Sequence, residues 1–156
     1  MATSSDKRAG RDPAQRYLGT VADTLLETLG IVVTEVGPER VVATMPVTPA
    51  HHQPHGILHG GASVALAETV ASIGASVELQ DYQRAVGLEI NANHLRQVTS
   101  GLVTAVATPI HRGRRTHVWA VEIREPTGKL VCVSRCTVAI LGQDMKVGGP
   151  AAADPP

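Results

Sequence analysis

Between Gly61 and Val77 the chain carries a single charge, that of Glu68. The rest of the stretch is Ala, Gly, Ser, Thr and aliphatic side chains, which predicts a long helix with no polar face. A helix apolar on every side belongs inside a fold, so the remaining chain has to be built around it. An ionised carboxylate in such a place is costly unless something compensates it. Glu68 is therefore expected either to have a hidden structural partner or to be kept for chemistry.

The faces of this helix differ in size. At 100° per residue Leu66, Val70, Ile73 and Val77 form a bulky stripe, expected to pack on a sheet. Gly61, Ala65, Glu68, Ser72 and Ala75 form a small stripe, expected to face another backbone or a ligand. Glu68 and Ser72 are spaced i, i+4 and should be neighbours on that side.

The flanking sequence supplies the sheet. Residues 1–12 are polar, with Gly and Pro, and are expected to be a disordered tail. Leu18, Val21, Leu25 and Leu29 predict an amphipathic helix from Ala14 to Leu29, ending near Gly30. Ile31 to Val36 and Val41 to Val47 read as strands joined by Gly37-Pro38-Glu39. A loop rich in Pro, His and Gly runs from Thr48 to Leu58 into the central helix. Four more strands follow: Ala85 to Asn93, Leu102 to Ile110, His117 to Arg124 and Leu130 to Leu141. Residues 142–156 show no core pattern and read as a second tail, leaving 13–141 as one domain. The order predicts an α+β fold, a curved antiparallel sheet wrapped around one long helix.

Composition narrows the function. The 156 residues suffice for one domain with a sizeable core. Formal net charge is zero, which gives no electrostatic support for a nucleic-acid or membrane-surface role. Phe is absent, so aromatic platforms for stacking bases are not expected. The first residues lack the apolar core of a signal peptide, and the expected location is cytoplasmic. Cys132 and Cys136 share a strand face and read as reduced core thiols rather than a redox pair.

The residues with chemical potential cluster at the helix entrance. Gly60-Gly61 places unsatisfied N–H groups at the positive end of the helix dipole, where glycine permits close approach. Such groups can hold a carbonyl oxygen as it becomes an oxyanion; the alternative is an ordinary tight turn. Gly60 and Glu68 lie eight positions apart, roughly 12 Å along the axis. They cannot both touch one carbonyl, so a shared site requires a second copy, with Glu68 of one chain near Gly60 of the other. His51, His52, His55 and His59 could suggest a metal, but no Cys or carboxylate joins them locally, and the reading is no metal. His59 and Gln53 are better placed to orient a substrate. The turn His111-Arg112-Gly113-Arg114-Arg115, with Arg96, concentrates positive charge that suits phosphate groups; the plain alternative is a solvated hairpin tip.

The strings QPHGILHGGASVALAETVAS and VGLEINANHLR resemble those of hotdog-fold acyl-CoA thioesterases over Gly30 to Leu141. The nearest branch carries its catalytic carboxylate on the central helix. It includes 1,4-dihydroxy-2-naphthoyl-CoA thioesterase of menaquinone synthesis and a relative that clears misacylated carrier protein. The resemblance implies that Glu68 attacks the thioester or activates water, and that the N–H of Gly60 polarises the carbonyl. His59 and Gln53 would orient it, and Ser72 would hold the water or product near Glu68. Gly87, His94, Leu95, Arg96 and Gln97 would contact coenzyme A, as would His111, Arg112, Gly113, Arg114, Arg115 and Thr116. It also implies no cofactor beyond the coenzyme A of the substrate, and dimers pairing into tetramers. Two other readings remain open from sequence: a non-hydrolytic acyl-CoA-binding regulator, and an enoyl-CoA hydratase. The second lacks the Asp such a helix would carry.

Overall fold

The structure is a computed structural model and describes residues 21–80 and 82–142. Six strands form one antiparallel sheet: β1 (Val32–Val36), β2 (Val41–Val47), β3 (Arg84–His94), β4 (Gly101–Arg112), β5 (Thr116–Arg124) and β6 (Leu130–Leu141). Their spatial order is β1-β2-β4-β5-β6-β3. The sheet curls around one long helix, which packs against all six strands. This helix spans Gly60–Ser76 and is preceded by a single turn of helix, Leu25–Thr28. We call the short helix α1 and the long one α2. This is the curved-sheet α+β fold expected from the sequence.

Strand alternation builds the core. Met45 of β2, Val103 and Ala105 of β4, Trp119, Val121 and Ile123 of β5, and Cys132, Cys136 and Val138 of β6 are wholly buried. From α2, Leu66, Val70 and Ile73 meet this layer. Burying each such side chain stabilises the fold by roughly 1.5–3 kcal/mol. Trp119 sets the closeness of the layers: a methyl carbon on Gly74 would come within 2.6 Å of its indole. Only glycine at position 74 lets α2 lie this near the sheet.

Three expectations change. The helix expected over Ala14–Leu29 is, among the described residues, only Leu25–Thr28. Asp23 takes a left-handed φ of +60° and its N–H donates to Glu27 Oε2 at 2.7 Å, so the helix cannot run back through it. Residues 14–20, and the tails at 1–12 and 143–156, lie outside the described residues. The hairpin linking β4 and β5 is also shorter than the run His111 to Arg115, because β4 continues through Arg112 and Gly113 N–H bonds Thr116 O at 2.9 Å. Finally, Ala75 belongs to the buried face of α2, not to its open one, while Val77 is only partly buried.

The sheet has two different edges. β1 is short. β3 is eleven residues long, carries a bulge between Gly87 and Glu89, and leaves Leu88 unpaired and 63% exposed. Both cysteines are free thiols facing inward from β6. Burial, then the charges of Glu68 and Glu89, push the Cys136 thiol up to about 11.

Candidate active site

Helix α2 begins where His59 caps it. His59 Nδ1 accepts from Gly61 N–H at 2.8 Å, and His59 O accepts from Ala62 and Ser63 N–H at 3.0 and 3.3 Å. These bonds satisfy the entrance of the helix with one exception: Gly60 N–H has no acceptor among the described residues. An unpaired N–H at the positive end of a helix dipole is a ready hydrogen-bond donor for a carbonyl oxygen. Because Nδ1 of His59 is an acceptor, its proton resides on Nε2, which remains free to donate outward.

The loop before the helix fixes this entrance. His51 is buried, with Nε2 at 3.0 Å from Leu29 O and Nδ1 at 2.9 Å from Thr48 Oγ1. Its carbonyl receives His59 N–H at 2.8 Å. His52 Nε2 sits 3.0 Å from Thr99 O. His55 lies on the exposed loop, and its N–H donates to Gln53 Oε1. The four histidines thus have separate tasks along the loop instead of converging.

Gly60 opens into a cavity of about 400 Å³ together with Gln53, Ser63, His94, Leu95, Arg96 and Gln97. Six of the residues singled out in the sequence meet here. Ser63 is an addition: it is buried, and its i, i+3 spacing from Gly60 is the signal that would have found it. The cavity floor is held by Val131 O, which accepts from Leu95 N–H at 2.8 Å and Arg96 N–H at 3.3 Å.

Glu68 opens elsewhere. With Ser72, Gly61, Val64, Ala65, Thr69 and the two leucines of α1, Leu25 and Leu26, it lines a second groove of about 460 Å³. Glu68 is half-buried and looks into this open groove, so the fully enclosed acid expected from the sequence is not what a single chain presents. Among the described residues no ion pair or hydrogen bond holds its carboxylate. Thr69 spends its hydroxyl on Ala65 O at 2.8 Å, which leaves its methyl for the groove. Gly87 on β3 backs Glu68: a methyl carbon there would collide with Oε1 and lie 3.3 Å from the carboxyl carbon.

The basic hairpin stands apart from both openings. Arg112 is taken up by Glu39 on the β1–β2 turn and by Glu78 at 2.9 Å beyond the end of α2, and it also reaches Pro38 O at 3.2 Å. The Glu39 hydrogen bond, followed by the charges of both acids, raises its guanidinium above its ordinary range. His111 folds over Gly113. Arg114 and Arg115 are exposed.

A six-stranded antiparallel sheet curled around one long helix is the hotdog fold of thioesterases. Comparison agrees: residues 55–132 match the model of the thioesterase superfamily, and the chain belongs to that family. It is 50% identical over 116 residues to the 1,4-dihydroxy-2-naphthoyl-CoA hydrolase of Listeria monocytogenes, covering 74% of this chain and 94% of that one. It is 46% identical to the proofreading thioesterase EntH of Cronobacter sakazakii, covering 79% and 90%. The crystal structure of a thioesterase from Haemophilus influenzae superposes with a TM-score of 0.80 at 44% identity, covering 86% and 94%. By family and fold the protein is a thioesterase. No helix among the described residues is long and apolar enough to cross a membrane.

Proposed function

We propose that the protein hydrolyses an aryl- or acyl-CoA thioester to the free acid and coenzyme A, with Glu68 as nucleophile or general base and Gly60 N–H polarising the carbonyl. One observation carries this reading. The unpaired Gly60 N–H faces one cavity, and the uncompensated Glu68 faces a different groove of the same helix. Each opening holds half of what thioester hydrolysis needs. A second copy related by a two-fold axis supplies the missing half, so the working unit is a homodimer with shared sites, and pairing of dimers into a tetramer follows the family pattern. The long free edge of β3, with Val86 and Leu88 exposed beside Gly87, supports such pairing.

In the reaction an oxygen, either of Glu68 or of a water that Glu68 deprotonates, bonds to the carbonyl carbon. The carbonyl π pair moves onto oxygen, held by Gly60 N–H. Collapse re-forms the carbonyl and expels the thiolate with the C–S pair. If Glu68 attacked, water then cleaves the anhydride. Ser72 and Gln53 hold the water and the acyl group, while Arg96, Gln97 and the exposed Arg114 and Arg115 bind the coenzyme A arm.

For the acyl group, the similarity to a 1,4-dihydroxy-2-naphthoyl-CoA hydrolase favours an aromatic acid, in which case the step serves menaquinone synthesis. The similarity to a proofreading thioesterase favours a misacylated carrier protein. The test uses purified protein, a thioester panel (dihydroxynaphthoyl, hydroxybenzoyl, phenylacetyl and short aliphatic, on coenzyme A and on carrier protein) and the Glu68→Ala variant. That variant folds, dimerises and loses at least about a hundredfold in kcat. Near-wild-type turnover by it rejects the assignment.

A further inference from the structure

Helix α1 supplies one wall of the groove that holds Glu68, through Leu25 and Leu26. It is a single turn, and none of its residues is fully buried. A helix this short does not hold itself in water, so its place has to come from anchors. Leu26 leans on the core, while Leu25 is exposed. Among the described residues, the hydrogen bonds of residues 23–29 stay within residues 21–31 with one exception. The exception is Leu29 O at the end of α1, which lies 3.0 Å from His51 Nε2.

His51 is buried at the end of the turn Pro49–His51. Its Nδ1 meets Thr48 N–H at 3.3 Å and Thr48 Oγ1 at 2.9 Å. A backbone N–H can only donate, so Nδ1 accepts and the ring proton stays on Nε2, where it is donated to Leu29 O. The His51 carbonyl accepts from the N–H of His59, the residue that caps α2. By its side chain His51 thus holds one wall of the groove, and by its backbone it holds the entrance of the helix that carries Glu68. The imidazole itself lines neither opening.

We propose that His51 is a positioning residue for acyl selectivity: through Leu29 O its imidazole sets how Leu25 and Leu26 stand across the groove from Glu68. The proposal rests on the hydrolase reading above and deepens it. The carbon that Glu68 or its water attacks carries the acyl group along this groove, so the two leucines meet that group. An apolar wall discriminates by contact, and its contribution falls when its anchor is lost. The chemistry at the carbonyl is left untouched, because neither Gly60 N–H nor Glu68 depends on the imidazole.

The test separates the two bonds of the ring. In His51→Asn the amide oxygen replaces the Nδ1 acceptor for Thr48, but the side chain is too short to reach Leu29 O. In His51→Gln the amide nitrogen replaces the Nε2 donor to Leu29 O. Both are compared with wild type, Leu25→Ala and Glu68→Gln by steady-state kinetics on butyryl-CoA and on the bulkiest aryl-CoA that wild type turns over, beside a thermal melt. The expected result for His51→Asn is a rise of about tenfold in KM for the aryl substrate, with kcat on butyryl-CoA kept. Leu25→Ala shifts the same ratio in the same direction, and His51→Gln restores most of it. A wild-type ratio in His51→Asn or in Leu25→Ala overturns the proposal. So does an equal loss on both substrates, or a His51→Asn that does not fold, either of which makes the imidazole a merely structural group. Retained turnover in Glu68→Gln overturns the hydrolase reading itself, whatever the His51 variants do.

Discussion

The Glu68 carboxylate rests against the α-carbon of Gly87, with no space between them for a methyl group. Helix and edge strand are thereby matched at one point, and the strand backbone limits where the acid can swing. Gly87→Ala should displace the carboxylate without disturbing the core. A fall in kcat of about tenfold or more is expected, because a misplacement of about 1 Å is enough for such a loss. Steady-state kinetics beside a thermal melt check it. An active variant would mean that this contact does not position Glu68.

Gly74 serves a purely structural fit. A β-carbon there would press on the Trp119 ring from 2.6 Å, and both helix and indole are hemmed in by core. Gly74→Ala should destabilise by about 1–3 kcal/mol, the usual range for overpacking a core. Chemical denaturation measures it, and an unchanged midpoint would contradict the packing described.

Two buried groups set opposite pH limits on stability. Burial, aided by Arg112, lowers the His117 pKa below its ordinary 6.5. Below pH 6.5 the unfolded chain binds this proton and the folded one resists it, so stability falls as pH drops through that value. Cys136 acts at the other end, with its thiol near 11 in place of 9.0. Between pH 9 and 11 the unfolded chain has lost the proton while the folded one keeps it, so stability falls as pH rises. Denaturation midpoints from pH 4.5 to 10.5 should show both slopes. Cys136→Ser should remove much of the alkaline one.

The arginines of the hairpin separate by task. Arg114→Ala and Arg115→Ala should raise KM for acyl-CoA and weaken its dependence on salt, as expected for exposed charges that meet phosphates. Arg112→Ala should act on the fold, lowering the melting temperature by freeing Glu39 and Glu78 from their shared partner. Unchanged KM in the first two variants would make the hairpin a plain solvated tip.

Much of this was legible from residue order. The spacing of Leu66, Val70 and Ile73, and the alternation along β2, β4, β5 and β6, announce a helix within a sheet because burial writes the period of each element into its side chains. His59, Gly60 and Glu68 were legible because their chemistry is rare in an apolar run. Other features were not. The bulge beside Gly87, the capture of Arg112 by Glu39 and the approach of His94 to Gly60 join residues distant in sequence, and local periodicity carries no record of them. Ala75 was assigned to the wrong face because a 100° wheel marks direction but not how far the sheet curls round the helix. The single-turn α1 was misjudged because Asp23 adopts a left-handed conformation that its neighbours do not signal.

The placement of the Gly60 donor and the Glu68 acid in separate openings of α2 has a kinetic consequence for the proposed shared site. A lone polypeptide would be inert, and turnover per unit mass would rise with concentration until assembly saturates. The subunit affinity, and not only the chemistry of the pocket, then sets how much thioester a cell can clear when the protein is scarce.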